Sequence, residues 1–137
     1  VVLQCGADAV EEDPLSRLSL SNNAHWEIVA ALRPFAPRFL VLGGGGYNPW
    51  SVGRLWTGVW GVLAGAEIPD RLPMEGEAVL RGLSWPNNRR GRNPPEHWFT
   101  TLRDAPRLGP VRTEIKDRAA RALDLRRRGV GLTRASA

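Results

Sequence analysis

The chain has 137 residues, of which 42% are hydrophobic and 24% are charged, and both values are ordinary for a small globular domain. Its formal net charge is +5, yet Lys116 is its one lysine and the remaining basic residues are arginines. A single cysteine, Cys5, excludes an internal disulfide and fits a reducing compartment, so we expect a cytoplasmic protein. No stretch approaches the roughly 18–20 apolar residues of a membrane span, so a membrane partner is not expected.

Two short strands and two helices are predicted in the first half of the chain. The strands cover residues 1–5 and 39–42, and the second is apolar enough to be buried on both faces. Between them, polar N-cap residues precede a predicted helix over 24–32, with one side formed by Ala24, Ile28, Ala31 and Leu32. The order strand, helix, strand, helix predicts a right-handed βαβα unit with a parallel sheet, which places the chain in the α/β class.

Four consecutive glycines at 43–46 follow the second strand and lead to Tyr47. Asn48 can cap the next helix, Pro49 suits its first turn, and Gly65 stands where a helix end favours a left-handed residue. The apolar positions of this helix share one face, which comprises Val52, Leu55, Trp56, Val59 and Leu63. Tyr47 is therefore predicted at the C-terminal edge of the sheet, where open α/β folds bind ligands.

Three interpretations of the glycine run compete. It is a flexible turn, a dinucleotide-binding loop, or a loop that holds Tyr47 as the working residue. The dinucleotide pattern G-x-G-x-x-G requires a glycine where Asn48 stands, which disfavours the second interpretation. Asp8 ends the first strand on the same rim, where an aspartate is a turn former, a metal ligand or an acid/base group. His25 is interpreted as a surface or packing residue and His97 as a surface residue.

The second half of the chain predicts shorter elements around an arginine-rich loop. A short helix is predicted at 76–83, an exposed loop at 85–95 that contains Arg89, Arg90 and Arg92, and a helix at 96–103. The helix predicted at 96–103 should direct the side chains of Trp98, Phe99 and Leu102 into the core. A last helix at 111–128 should bury Ile115, Ala119, Ala122 and Leu123 and end with Arg126 to Arg128 near the negative end of its dipole, before a frayed tail at 129–137.

Three segments together resemble the zinc-dependent histone deacetylase family: VLQCGAD at 2–8, DPL at 13–15 and LGGGGY at 42–47. The segments SLSNNAHW at 19–26 and YNPWSV at 47–52 look most like the bacterial acetoin-utilisation deacetylases. The order and separation of the motifs, with Tyr47 39 positions after Asp8, make the resemblance specific. It covers about the first 65 residues, so the fold it implies is the C-terminal part of a three-layer arginase/deacetylase-like α/β domain.

The resemblance implies hydrolysis of N-acetyl-lysine, on a protein or in a small acetylated amine, by a metal-activated water. By match to the family's motifs, Asp8 would be a zinc ligand and Tyr47 would stabilise the oxyanion. Leu15 would line the narrow acyl-lysine tunnel, and Gly45 would allow substrate to approach the backbone closely. Zinc is the implied cofactor, together with a monovalent cation such as potassium.

The family's remaining catalytic residues, an Asp-x-His pair and two adjacent histidines, have no match here, since His25 and His97 fit neither motif. We therefore expect a C-terminal fragment, inactive alone, in which residues 1–65 are part of the catalytic domain and 66–137 are a variable helical and loop-rich extension. Two alternatives stay open. The chain is an arginine-rich module that binds nucleic acid or an acidic partner, with nucleic acid disfavoured, or it is a catalytically degenerate homologue.

Overall fold

The computed structural model describes residues 1–106 and 109–127. The chain divides into two compact units, and the first of these is Val1–Pro106. Residues 1–65 therefore pack in one unit with the forty or so residues that follow them. The predicted boundary at residue 65, between the catalytic part and the extension, stays a prediction. Arg128 and the predicted frayed tail at 129–137 lie outside the described residues.

The sheet of the first unit consists of strands β1 (Val2–Gln4) and β2 (Leu40–Leu42). They pair in parallel, with Leu3 opposite Val41. The backbone N–H of Cys5 donates to the carbonyl of Leu42 at 2.8 Å, which continues the ladder towards the loops that follow both strands. The predicted parallel arrangement is thus confirmed, and both loops leave the sheet at the same edge.

The two faces of this sheet differ in burial. Leu3 and Val41 point to the face that packs against the core. On the opposite face, Val2 is 67% exposed, Leu40 53% and Leu42 45%. The prediction that the second strand is buried on both faces is therefore wrong within the described residues, because helices cover one face of the sheet there.

Helix α1 (Asn22–Leu32) connects the strands, and α2 (Pro49–Ala64) follows β2. Trp26 and Val29 of α1 pack in one core with Leu55 and Val59 of α2, and each fully buried aliphatic side chain stabilises the fold by about 1.5–3 kcal/mol. The predicted side of α1 is wrong, since Ile28 is 46% exposed. The buried face instead contains polar side chains that find partners on other segments, among them Asn22, Asn23 and His25.

Helix α2 has the predicted ends. The Asn48 side chain accepts hydrogen bonds from the backbone N–H groups of Trp50 and Ser51, and Pro49 is the first helical residue. Gly65 ends the helix in the left-handed region at φ 69°. The predicted apolar face is also confirmed, with Leu55 and Val59 fully buried and the others partly buried against the core: Val52, Trp56 and Leu63.

A second cluster forms around Trp50, from the first turn of α2. It includes Leu80 from α3 (Met74–Arg81) and Trp98 from α4 (His97–Thr100), with partly buried neighbours Leu72, Trp85 and Phe99. The Trp50 indole N–H donates to the Leu80 carbonyl at 2.8 Å. The inward directions predicted for Trp98, Phe99 and Leu102 are confirmed, although α4 is shorter than the helix predicted at 96–103.

A buried ion pair ties residues after α4 to both long helices. Arg54 Nη2 of α2 lies 2.8 Å from Asp104 Oδ1, and the two side chains are 1% and 6% exposed. The other carboxylate oxygen of Asp104 accepts from the backbone N–H of Asn22 at 2.8 Å. Arg54 Nε also donates to the Thr101 carbonyl at 2.7 Å. Residues 100–104 therefore belong to the core that supports α1 and α2.

The second unit contains α5 (Thr113–Arg127). The prediction of a buried side on this helix is wrong, since Ile115 is 41% exposed and Leu123 59%. Among the residues described, none of the helices combines the length and the apolar content that crossing a membrane requires.

Candidate functional site

The site begins where β1 ends, with the buried residues Cys5, Gly6 and Ala7. A 3-10 turn at Ala7–Ala9 then turns the chain and carries Asp8, which is half-buried. The carbonyl of Gly45, from the loop after β2, accepts hydrogen bonds from Ala7 N at 2.6 Å and from Asp8 N at 3.3 Å. These bonds hold the aspartate turn against the glycine run.

The Asp8 side chain fills the space that a side chain at position 45 would take. A Cβ atom there would lie 2.6 Å from Asp8 Cγ and closer still to Asp8 Oδ2. The missing side chain therefore leaves a cradle that the Asp8 carboxylate occupies. The described residues give this carboxylate no hydrogen bond or ion pair, so its oxygens are available to a ligand.

Tyr47 follows the glycine run directly. Gly46, at φ 156°, has a conformation that suits glycine, and a Cβ there would meet Val52 Cγ2 at 2.7 Å. Tyr47 itself is 53% exposed, while its backbone N–H donates to Asp13 Oδ2 at 2.7 Å. Asn48, fully buried as the cap of α2, fixes the other side of the tyrosine. The phenol is thus presented to solvent from a backbone that is held on both sides.

Leu15 stands on a loop that a bridge between Val10 and Leu20 closes. Its side chain is 61% exposed. Its backbone N–H donates to Asp13 Oδ1 at 2.9 Å, which makes an Asx-type turn through the Asp-Pro-Leu sequence. The loop therefore exposes the apolar side chain of Leu15, while its backbone is held by a buried aspartate that also binds the backbone of Tyr47.

The two histidines have different environments. His25 is 8% exposed, and its Nε2 lies 3.2 Å from the Gly6 carbonyl, so this nitrogen carries the proton and donates it. Of the two interpretations of His25, packing is confirmed by this burial and a surface position is wrong. His97 is exposed, as predicted. Its pKa is lower than the ordinary value, mainly because the imidazole is partly desolvated and also because Arg54 is positively charged. Burial also raises the pKa of the Cys5 thiol, so this cysteine is an inert packing residue.

Asp8 fits a metal ligand by its chemistry, since its carboxylate oxygens are free in a glycine cradle. Among residues 1–106 and 109–127, no three His, Cys, Asp or Glu side chains are grouped so that they could hold a metal ion. Catalytic zinc sites use about three protein ligands. The described residues therefore supply one suitable ligand and would need others to complete a zinc site.

A cavity of about 360 Å³ lies beside the loop that contains Glu11 and Glu12. Its other walls come from the segment after α3 and include Arg90, His97 and Trp98. Arg90 Nη1 donates to the Glu11 carbonyl at 2.8 Å. One of the clustered arginines therefore binds the chain's own backbone.

The structure links the sequence-predicted site residues in two pairs, Asp8 with Gly45 and Leu15 with Tyr47, through hydrogen bonds. Asp8 contacts Gly45, and Asp13 binds the backbone at both Tyr47 and Leu15. Sequence reasoning gave Asp13 no role beyond its place in the motif. The Asp-Pro sequence predicts the hydrogen bond between Asp13 and the backbone two residues later. The bond between Asp13 and Tyr47 joins residues 34 positions apart, so no local sequence pattern predicts it.

Comparison with known proteins finds one family over the N-terminal part of the chain. Residues 1–63 match the histone deacetylase domain. "Histone deacetylase 19" of Arabidopsis thaliana is 45% identical over 73 residues, which are 53% of this chain and 15% of that protein. "Type-1 histone deacetylase 1" of Dictyostelium discoideum is 35% identical over 98 residues, which are 68% of this chain and 20% of that protein.

Solved structures extend the similarity beyond the matched domain. An HDAC homologue from Aquifex aeolicus superposes with a TM-score of 0.73 at 34% identity, over 88% of this chain and 32% of that one. An HDAC homologue in complex with SAHA gives a TM-score of 0.74. The predicted fold class, part of an α/β domain of the arginase/deacetylase type, is thereby confirmed. The chain spans about a third of the length of these solved structures and less of the sequence relatives.

Proposed function

We propose, from the match of residues 1–63 to the histone deacetylase domain, that the chain contributes to hydrolysis of an acetyl amide and that Tyr47 stabilises the oxyanion. The observation that carries the proposal is the presentation of Tyr47, whose phenol is exposed while its backbone is held by buried Asp13 and Asn48. A donor that is preorganised where negative charge develops is the usual device for amide hydrolysis. A phenol donates a hydrogen bond without bringing a charge into the site.

Asp8 would hold zinc as one of several ligands. Its carboxylate occupies the cradle left by Gly45 and is free of other partners within the described residues. The zinc ion would supply Lewis acidity towards the amide carbonyl. The contribution of this chain is to fix the backbone that carries the carboxylate, through the two hydrogen bonds that the Gly45 carbonyl accepts from Ala7 N and Asp8 N.

Leu15 would contact the aliphatic part of an acylated amine. It is apolar and 61% exposed, and Asp13 holds its backbone. An exposed leucine on a fixed loop suits the methylene chain of acetyl-lysine, in a protein or in a small acetylated amine. Gly45 would act as a substrate-binding residue by close backbone approach, in addition to its contact with Asp8. A monovalent cation such as potassium would be a further cofactor, bound mostly by residues other than these 137.

Asp8 and Tyr47 can be separated by experiment in the full-length protein. Tyr47→Phe removes one donor to the developing oxyanion, so we expect kcat to fall by about 10²–10³, or ~3–4 kcal/mol, with zinc content unchanged. KM should change much less, because the hydrogen bond strengthens in the transition state. Asp8→Ala should instead lower zinc content together with activity. Near-normal turnover of an acetyl-lysine peptide by Tyr47→Phe would refute the catalytic role of Tyr47.

We expect the deacetylase activity to require residues in addition to the 137 of this sequence. The chain has two histidines, and His25 Nε2 is hydrogen-bonded to the Gly6 carbonyl. Among the described residues, no histidine joins Asp8 in a group of three side chains that could hold a metal ion. We therefore propose that residues 1–137 are inactive alone. We also propose that the protein is of the bacterial acetoin-utilisation type, because of the segments at 19–26 and 47–52. The single buried cysteine supports a cytoplasmic location.

The alternative of an arginine-rich binding module has less support. Arg90 from the arginine cluster binds the Glu11 carbonyl, so part of the cluster serves the packing of its own loop. Nucleic-acid binding that weakens steeply with salt would favour the alternative. A degenerate homologue would show no activity even when the full-length protein retains zinc.

A further inference from the structure

Asp13 is a buried carboxylate whose two oxygens bind two different loops. It is 2% exposed. Oδ1 accepts from Leu15 N at 2.9 Å, and Oδ2 accepts from Tyr47 N at 2.7 Å. Both distances are in the range of charge-assisted hydrogen bonds, which are about twice as strong as neutral ones. One side chain therefore fixes the backbone of the two residues that the proposed function assigns to substrate.

Neither bond comes from secondary structure. Tyr47 lies between the glycine run and the cap of α2, where regular backbone pairing has ended. Leu15 lies within a loop that the bridge between Val10 and Leu20 closes at its base. The orientation of each segment near its exposed side chain therefore depends on the carboxylate between them.

A second bond locks the same pair of loops. The Asn48 amide donates from Nδ2 to the carbonyl of Glu12 at 3.1 Å, while its Oδ1 caps α2. Asp13 thus binds Tyr47 and Asn48 binds Glu12, so two hydrogen bonds link neighbouring residues of one loop to neighbouring residues of the other. Such a double attachment restricts sliding of one loop past the other, which a single bond would permit.

Asp13 is a buried carboxylate in a position where an amide would fit poorly. Burying a carboxylate removes its hydration, and the hydrogen bonds recover part of that loss. An amide of the same size could not replace it, because one of its two terminal atoms is a donor and would face a backbone N–H. The site requires two acceptors side by side, and a carboxylate is the side chain that provides them.

We propose that Asp13 is the positioning residue of the site, which acts on turnover through Tyr47 and on substrate affinity through Leu15. The inference rests on the proposed function, since it needs Tyr47 to act on the substrate. It predicts that loss of the Asp13 charge lowers kcat by misplacing the phenol. It also predicts that this loss cannot exceed the loss caused by removing the phenolic oxygen itself.

The test is a double-mutant cycle in the full-length protein, with Asp13→Asn and Tyr47→Phe separately and together, assayed on an acetyl-lysine peptide. Asp13→Asn should lower kcat at least tenfold, within the roughly 10²–10³ expected for Tyr47→Phe. In the Tyr47→Phe background it should change kcat less than about threefold, because residues that act as a unit are not additive. KM should rise severalfold in both backgrounds, through Leu15. Asp70→Asn, at an exposed loop position, is the control and should leave both parameters unchanged.

The outcomes separate the inference from the proposed function. A merely structural role for Asp13 would lower kcat by the same factor in both backgrounds, and this result would overturn the inference. Normal turnover by Asp13→Asn beside a large loss in Tyr47→Phe would also overturn it and leave the proposed function intact. A silent Tyr47→Phe would overturn both. If Asp13→Asn is insoluble, Asp13→Glu keeps both oxygens on a longer side chain and enters the same cycle with the same expected pattern.

Discussion

The buried ion pair between Arg54 and Asp104 leads to a quantitative prediction about stability. Asp104→Asn preserves the shape of the side chain but leaves the Arg54 guanidinium buried, at 1% exposure, without its partner at 2.8 Å. Removing one partner of a buried pair typically costs ~3–5 kcal/mol. The asparagine can still accept from the backbone of Asn22, so we expect a loss near the lower end, about 3 kcal/mol.

The assay is urea unfolding of the full-length protein, with the midpoint and its slope compared between variants. Combining Asp104→Asn with Arg54→Met should recover part of the loss, because the uncompensated charge is then gone. Glu77→Gln, which breaks the exposed pair with Arg81, is the control and should shift the midpoint far less. A loss below about 1 kcal/mol for Asp104→Asn, the size typical of an exposed pair, would refute the reasoning.

Three further predictions follow from local contacts. Asn48→Ala should destabilise the protein by about 1–2 kcal/mol in urea unfolding, because Asn48 caps α2, whereas Ser21→Ala should be nearly silent, since Ser21 precedes α1 without a side-chain cap bond; equal losses would contradict this. If Asp8 binds zinc as proposed, Gly45→Ala in the full-length protein should lower zinc content and activity by displacing the adjacent carboxylate. Gly43→Ala should be tolerated, because its Cβ would meet just one atom, at an ordinary 3.5 Å; equal zinc content in both variants would refute the cradle. His97 has a lowered pKa in the folded state, so the unfolded chain binds the proton first as pH falls below about 6.5. Stability should therefore fall on acidification through that range, and His97→Gln should lessen the fall measured by urea midpoints against pH.

The sequence alone determined the local features of this protein. Asn48, Pro49 and Gly65 mark the two ends of α2 because caps and left-handed ends depend on residues adjacent in the chain. The parallel strand pair, the apolar face of α2 and the glycine run before Tyr47 follow from periodicity and turn chemistry in the same way. The order of the motifs also predicted the similarity to the histone deacetylase domain that residues 1–63 show.

The tertiary structure decided which polar groups are buried. The side of α1 that faces the core could not be predicted from apolar periodicity, because Asn22 is buried by hydrogen bonds to residues 102–104, some 80 positions away. The same holds for Arg54, whose charge can be buried since Asp104 is beside it. Asp13 is the clearest case, with one predictable bond to Leu15 and one across the fold to Tyr47. A buried polar side chain is stable when its partner is in place, and a partner that is distant in sequence is brought there by the fold alone.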